Sequence, residues 1–478
     1  MSNTAKSSAS IRLASLLDDH SFVEIGGSVT ARNTDFNLQQ KATPSDGVIT
    51  GYGVIDGNLV YVYSQDAAVL GGTIGEMHAR KIVAVYEMAM KMGAPVIGLI
   101  DCAGLRLQEA TDALNAFGEI YQKQALASGV IPQITAIFGN CGGGLAVVPA
   151  LTDFTFMEEK KAKLFVNAPN TLAGNEQSKC NTASAKFQSE ETGLVDFTGT
   201  EEEILSGIRA LVGMLPANNE DDMSYEECTD DLNRVCAGLT NAAGDPALLL
   251  ANISDHAVLV ECKPQYAKEM VTGFIKLNGM TIGAVGNRTE LYDDQGEKME
   301  TFEAVLTAKG ARKAAEFVTF CDAFAIPVLS FTNVKGFKAD KHSERNIGRA
   351  AGALTYAFAN ATVPKVNVVT RSAFGSAYTV MNSKAIGADL TFAWETAEIG
   401  MMDATSAAKI MYAEEELAVI NEKAAEYAQL QSSALAAAQR GYVDTLIAAE
   451  DTRKYVIGAF EMLFTKREDR PTKKHGTV

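Results

Sequence analysis

The feature that most constrains this fold is a pattern that occurs twice along the chain at one fixed distance. Ala79-Arg80-Lys81 recurs as Ala311-Arg312-Lys313, 232 residues later. The same spacing relates Pro95 to Pro327, Gly104 to Gly336, Pro132 to Pro364 and Gly143 to Gly375. Chance does not hold register over such a span. A repeat whose glycines stay in phase implies two copies of one supersecondary scaffold, and so two related sites.

A chain of 478 residues is also longer than one hydrophobic core ordinarily serves. The expected domains are 1–230 and 245–478, with 216–245, which contains "NNEDDMSYEECTDD", as an acidic linker or solvated surface. A net charge of −17 argues against nucleic acid or an anionic membrane as partner. It leaves open an anionic ligand held by local backbone amides. Seven scattered cysteines without a C-x-x-C pair read as a reduced, intracellular chain with no structural zinc and no metal ligands. The polar start is not a secretory signal, and no run of about eighteen apolar residues spans a membrane. The expected location is the cytoplasm.

Helix and strand patterns alternate in each half, so each is read as α/β. The first half predicts a helical lead-in at 11–17, a hairpin at 47–64 turning on Asp56-Gly57, a helix at 75–92 and a strand at 95–100. A helix at 114–128 and a strand at 133–138 follow. The second half predicts a hairpin at 273–287 turning on Asn278-Gly279, a helix at 302–324, a strand at 327–332, a helix at 346–360 and a strand at 365–370. The Ala-, Glu- and Leu-rich end, 413–461, reads as helices that pack on a neighbouring subunit or on the opposite half.

Two loops per half carry the chemical signal. In the first half they are Asp101-Cys102-Ala103-Gly104-Leu105-Arg106 and Cys141-Gly142-Gly143-Gly144, each directly after a strand. One glycine cluster alone is an ordinary strand-to-helix turn. Two at neighbouring strand ends could aim two backbone N–H donors at one oxygen, which makes an oxyanion hole. The pairing recurs at the same offset in the second half.

Longer segments resemble a known family. "GAPVIGLIDCAGLRLQE" and "SGVIPQITAIFGNCGGGLAVVPALTDFTFM" are similar to the N-terminal half of biotin-dependent acyl-CoA carboxyltransferases. "FVTFCDAFAIPVLSFTNVKGF" and "ATVPKVNVVTRSAFGSAYTVMNSKAIGADLTFAWETAEIGMM" are similar to the C-terminal half. The resemblance covers about residues 20–415. It implies two tandem crotonase-like (ClpP/crotonase) domains from an internal duplication, one for a CoA thioester and one for biotin on a separate carrier protein. The transferred carboxyl group would pass through an enolate on each partner, each with its charge on a former carbonyl oxygen.

By the resemblance, the N–H groups of Leu105 and Gly143 would form the acyl-CoA hole, with Ala103, Gly104, Arg106, Gly142 and Gly144 around it. Those of Phe337 and Gly375 would form the biotin hole, with Gly336, Phe374 and Ser376 beside it, and Thr379 where the family lines its acyl pocket. The implied partners are acyl-CoA, a biotin carboxyl carrier protein, and either biotin carboxylase or membrane decarboxylase subunits. The chain would act as a homo-oligomer, dimer to hexamer, with the CoA half of one copy facing the biotin half of another. Its complex would be a propionyl- or acetyl-CoA carboxylase, or a methylmalonyl-, malonyl- or glutaconyl-CoA decarboxylase to which the chain is peripheral. Two alternatives stay open: a biotin-independent crotonase-like acyl-CoA lyase, and a non-catalytic scaffold subunit.

The second half departs further from the family pattern. Lys335 precedes Gly336-Phe337 where the family usually has proline, and Ser372 and Ser376 replace lysine and glycine around Gly375. The four-cysteine zinc ribbon of the two-subunit bacterial acetyl-CoA carboxylase is absent from the sequence. Ala89-Met90-Lys91-Met92 matches a biotin attachment sequence, but its place at the end of a helix argues against that role. Cys102 and Cys141 read as small buried residues, not nucleophiles, and Glu76 with His78 as helix capping or packing. Arg106 and Lys338 read equally as contacts to phosphates or a carboxylate and as solvated surface residues.

Overall fold

The computed structural model describes residues 7–33, 36, 41–173, 181–221, 227–293 and 295–471. Cys180 and the middle of the acidic stretch, 222–226, lie outside them. Two compact units divide the chain, Met1–Asp222 and Met223–Val478. The expected linker does not form one free segment. Asn218 and Asn219 hydrogen-bond Gly93 and Val130 of the first unit, whereas Cys236, Leu239 and Ala243 enter the core of the second.

The first unit begins with helix α1 (Ser8–Leu16). Its strands are β1 (Val23–Ile25), β2 (Val48–Ile55), β3 (Asn58–Gln65), β4 (Val96–Cys102), β5 (Gln133–Gly142), β6 (Phe154–Glu158), β7 (Lys163–Phe165) and β8 (Phe197–Gly199). They lie in the order β1-β2-β3-β4-β5-β6-β8, antiparallel up to β3 and parallel beyond it. The β2–β3 turn needs left-handed backbone at both central residues, and Asp56 and Gly57 have φ of 49° and 84°. Helices α2 (Glu76–Met92) and α3 (Ala110–Ala127) are followed by the short α4 (Val147–Ala150) and α5 (Ala185–Phe187), then α6 (Glu201–Val212). On α2 the residues Ala79, Ile82, Val85, Tyr86 and Ala89 recur at helical spacing and are buried, and left-handed Gly93 ends the helix. Lys91 lies in its last turn, so the attachment-like sequence is helical here.

The second unit repeats the order. After α7 (Pro246–Ile253) come β9 (Leu259–Cys262), β10 (Met270–Leu277) and β11 (Met280–Asn287), then a small ribbon of β12 (Glu290–Tyr292) and β13 (Lys298–Thr301). Helix α8 (Ala308–Ala323), β14 (Val328–Val334), α9 (Ile347–Asn360) and β15 (Lys365–Phe374) follow, then α10 (Gly375–Val380), β16 (Leu390–Trp394) and β17 (Glu398–Gly400). The unit closes with α11 (Ala404–Met411), α12 (Leu417–Tyr427), α13 (Ala434–Gln439), β18 (Thr445–Ile447) and α14 (Thr452–Leu463). The sheet order β9-β10-β11-β14-β15-β16-β18 matches the first unit strand for strand, and β17 pairs the end of β15 as β7 pairs β5.

Two further expectations differ from the structure. The helix expected from 302 starts at Ala308, because Thr307 caps it by accepting the Gly310 N–H at 2.9 Å, while 304–306 run beside the strand end at Lys335 and Gly336. The C-terminal stretch is not all helix and does not all face outward. Strand β18 extends its own sheet beside β16, and Val456, Ile457 and Phe460 of α14 fill its own unit's core.

Candidate oxyanion sites

Strands β4 and β5 end side by side, and their ends are bent away from the plain ladder. The β4–β5 register shifts between Ile100 and Cys102, and β5 trades its β6 partner for β7 at Asn140–Gly142. Such irregularities re-aim a strand end. Just beyond β4, Ile74 bridges Leu105: the Ile74 N–H donates to Gly104 O and the Arg106 N–H to Ile74 O, both at 2.9 Å. In an extended chain the N–H of the bridged residue points to the opposite side, so that of Leu105 faces away from Ile74. No backbone hydrogen bond from it is found among the described residues.

Across from it, Gly143 opens the turn after β5 with φ of 65°, a conformation that favours glycine. A Cβ there would touch nothing, so backbone conformation and not crowding demands glycine. As the first residue of a helical turn, Gly143 keeps its N–H outside the helical pattern. Gly142 is required for a different reason: its Cβ would lie 2.6 Å from the Phe165 ring. The loop before the hole is braced from within, because the Gly104 N–H donates to Cys102 Sγ at 3.3 Å.

The second unit repeats each part. The β14–β15 register shifts between Thr332 and Val334, and β15 turns from β16 to β17 at Ser372–Phe374. Leu306 bridges Phe337, giving its N–H to Gly336 O and accepting that of Lys338, both at 2.9 Å. The Phe337 N–H therefore faces the other way, and Gly375 starts α10 with φ of 61°. A cavity of about 290 Å³ lies beside this turn, lined in part by Tyr378, Thr379, Ile399, Met401, Arg440 and Tyr442. Thr379 Oγ1 donates to Gly375 O at 3.4 Å. Burial pushes the Tyr378 phenol up to about 12, so it stays protonated.

Not every expected residue reaches a ligand surface. Arg106 is 1% exposed, and its guanidinium bonds Asp46 at 2.6 Å, Glu109 at 2.8 Å and Thr73 O at 2.7 Å. It is held inside the protein, not presented to a phosphate, and it anchors the loop that carries Leu105. The Phe374 side chain is likewise in the core, which leaves only its backbone for a ligand. Ala103, Gly144 and Ser376 are exposed, and Gly104, Gly336 and Thr379 half-buried. Lys338 is paired with Glu303 at 2.7 Å.

The remaining titratable groups here are structural. His78 is buried, its Nδ1–H on Asp46 O at 2.9 Å and its Nε2 facing the Gln65 amide at 3.2 Å. Burial, aided by nearby Arg106, lowers its pKa to about 3, so it is neutral. Burial pushes the thiols of Cys102, to about 12, and Cys141 upward, which keeps them from acting as nucleophiles. Among the described residues no cluster of ligands could hold a metal ion, and no helix is long and apolar enough to cross a membrane.

Comparison with known proteins shows the family of the chain. Residues 3–478 match the family model described as "Carboxyl transferase domain". The chain is 38% identical over 485 residues to methylmalonyl-CoA decarboxylase subunit alpha of Veillonella parvula, covering 99% of this chain and 93% of that one. It is 39% identical over 491 residues to the propionyl-CoA carboxylase carboxyltransferase subunit of Haloferax mediterranei, with the same coverage. A crystal structure of transcarboxylase 12S, a hexamer with hydrolysed methylmalonyl-coenzyme A bound, superposes with a TM-score of 0.91 at 34% identity, over 98% of this chain and 92% of that one.

Proposed function

The chain belongs to the carboxyl transferase domain family, a crotonase-fold acyl-CoA carboxyltransferase of the propionyl-CoA carboxylase and methylmalonyl-CoA decarboxylase type, and we propose that its two units hold the two partners of the transfer in separate oxyanion holes. The observation that carries this reading is a matched pairing at equivalent bent strand ends, the N–H groups of Leu105 and Phe337 turned away from their bridges and left-handed Gly143 and Gly375 each opening a helical turn.

In the first hole, the N–H groups of Leu105 and Gly143 take the thioester oxygen of a short acyl-CoA. When the carboxyl group leaves the α-carbon, the bonding electrons move into the thioester as an enolate and the negative charge settles on that oxygen. Two preorganised donors lower the barrier, by about 3 kcal/mol each. Arg106 keeps the donor loop in place from below. No side-chain base is needed on this account, consistent with a neutral His78 and protonated thiols beside the site.

The second hole fits biotin brought by a carrier protein: Phe337 and Gly375 offer two donors for a ureido oxygen, and the cavity beside Gly375 leaves room for a ring. Bound there, biotin supplies the ureido nitrogen that carries the carboxyl group. Thr379 lines this cavity, so its size limits what the second hole admits. The relatives' names favour methylmalonyl-CoA or propionyl-CoA as substrate. The chain works as a homo-oligomer with a biotin carrier and either a biotin carboxylase or membrane decarboxylase subunits. Exposed Ile410, Met411 and Leu417 on α11 and α12 support the first part. A panel of acyl-CoA thioesters assayed with and without free biotin tests the reading, and turnover indifferent to biotin would favour a lyase.

A further inference from the structure

The two holes are alike in their donors but differ in what holds the glycine turn. In the first unit the Tyr121 hydroxyl, from α3, donates to the Gly144 carbonyl. Phe117 lies one helical turn before Tyr121, with ring centroids 5.0 Å apart at 60°, and the two rings form a floor under the turn. Gly144 rests on that floor: a Cβ there would lie 3.1 Å from both the Phe117 ring and Tyr121 Oη. Burial raises the phenol's pKa, so it is a donor at neutral pH.

The second unit lacks this device. The positions 232 residues on are Arg349, Ala353 and Ser376, with no ring and no phenol. Its turn is held instead by Thr379 on the Gly375 carbonyl.

The difference matters because Gly142, Gly143 and Gly144 are consecutive. Three residues without Cβ can rotate their peptides at little cost, and one such rotation would turn the Gly143 N–H away from a bound oxygen. That N–H belongs to the Gly142–Gly143 peptide and the Gly144 carbonyl to the Gly144–Leu145 peptide two further on. The Tyr121 hydroxyl, beside the Val147 N–H on the same carbonyl, therefore anchors the far end of the turn and limits how far its glycines reorient. Resting on the reading of Leu105 and Gly143 as donors to a thioester, we propose that Tyr121 is a positioning residue of the first hole, fixing the Gly142–Gly144 turn so that the Gly143 N–H points at the acyl-CoA oxygen.

The test uses the full chain, propionyl-CoA labelled with ¹³C at its thioester carbonyl, and infrared difference spectroscopy of the bound ligand. The wild-type protein should shift the carbonyl stretch to lower frequency. Tyr121→Phe should lose much of that shift and about tenfold in kcat, less than the loss of a direct donor, with KM changed little. Gly144→Ala, which lifts the turn off the two rings, should lose the shift as well. Melting temperatures near wild type would show that neither variant acts by unfolding. A full shift and full kcat in Tyr121→Phe would overturn the role of Tyr121 while leaving the hole intact. No shift in the wild type would overturn the hole itself, and the positioning role with it.

Discussion

Gly143 and Gly375, 232 residues apart, hold nearly the same left-handed backbone, φ of 65° and 61°, each directly after a strand that has just changed partner. The shared conformation makes two sites alike in their donors, and the side chains around them make those sites different.

Replacing either glycine by alanine should therefore impair transfer for a conformational reason. A left-handed alanine costs roughly 1–2 kcal/mol, and a turn that relaxes away loses a donor, so kcat/KM should fall about 10²–10³-fold in Gly143→Ala and in Gly375→Ala. Gly104, with φ of 111°, should tolerate alanine worse than Gly336, whose backbone is not left-handed and whose Cβ would meet nothing. Steady-state rates of the four variants check this.

The Arg106 network predicts a stability effect. Arg106 and Asp46 are both almost fully buried, so Asp46→Asn removes one of the two carboxylates that hold the guanidinium and leaves Glu109 alone to balance its charge. Losing one hydrogen bond between charged groups costs about 1.5–3 kcal/mol. Urea unfolding should show a loss of that order, because the role is internal and not one of ligand contact.

His78 predicts a pH dependence. Its folded pKa, about 3, lies below the ordinary 6.5, so the unfolded chain binds the extra proton between these values. Stability attributable to His78 is therefore full above pH 6.5 and lost as pH falls towards 3, at about 1.4 kcal/mol per pH unit in the middle of the window. His78→Gln should flatten the dependence of unfolding free energy on pH in that window.

Assembly can be probed at α12. Leu417 is 67% exposed in the single chain and lies close to exposed Ile410 and Met411 in sequence. Leu417→Glu should shift sedimentation towards smaller species, with transfer activity falling in step.

Much of this was legible in the residues. The offset and the two hairpin turns follow from local chemistry: glycine where the backbone must turn left-handed, and apolar runs where strands are buried; the four donor positions come from the family resemblance. Three features were not. Arg106 looks like a ligand contact because Asp46, the partner that claims it, lies 60 residues away and only the fold brings them together. Strand β18 hides in an Ala- and Glu-rich stretch because three residues carry too little periodicity. Tyr121 reads as one more aromatic on a helix. Only its spacing from Phe117 and the absence of aromatics at Arg349 and Ala353 hint at an asymmetry between the halves.

The most direct measurement follows the release of CO2 from methylmalonyl-CoA by the purified chain as free biotin is titrated. The two-hole account predicts that turnover rises with biotin, saturates, and collapses in both Gly143→Ala and Gly375→Ala. Turnover that is the same with and without biotin, or that survives Gly375→Ala undiminished, would contradict it.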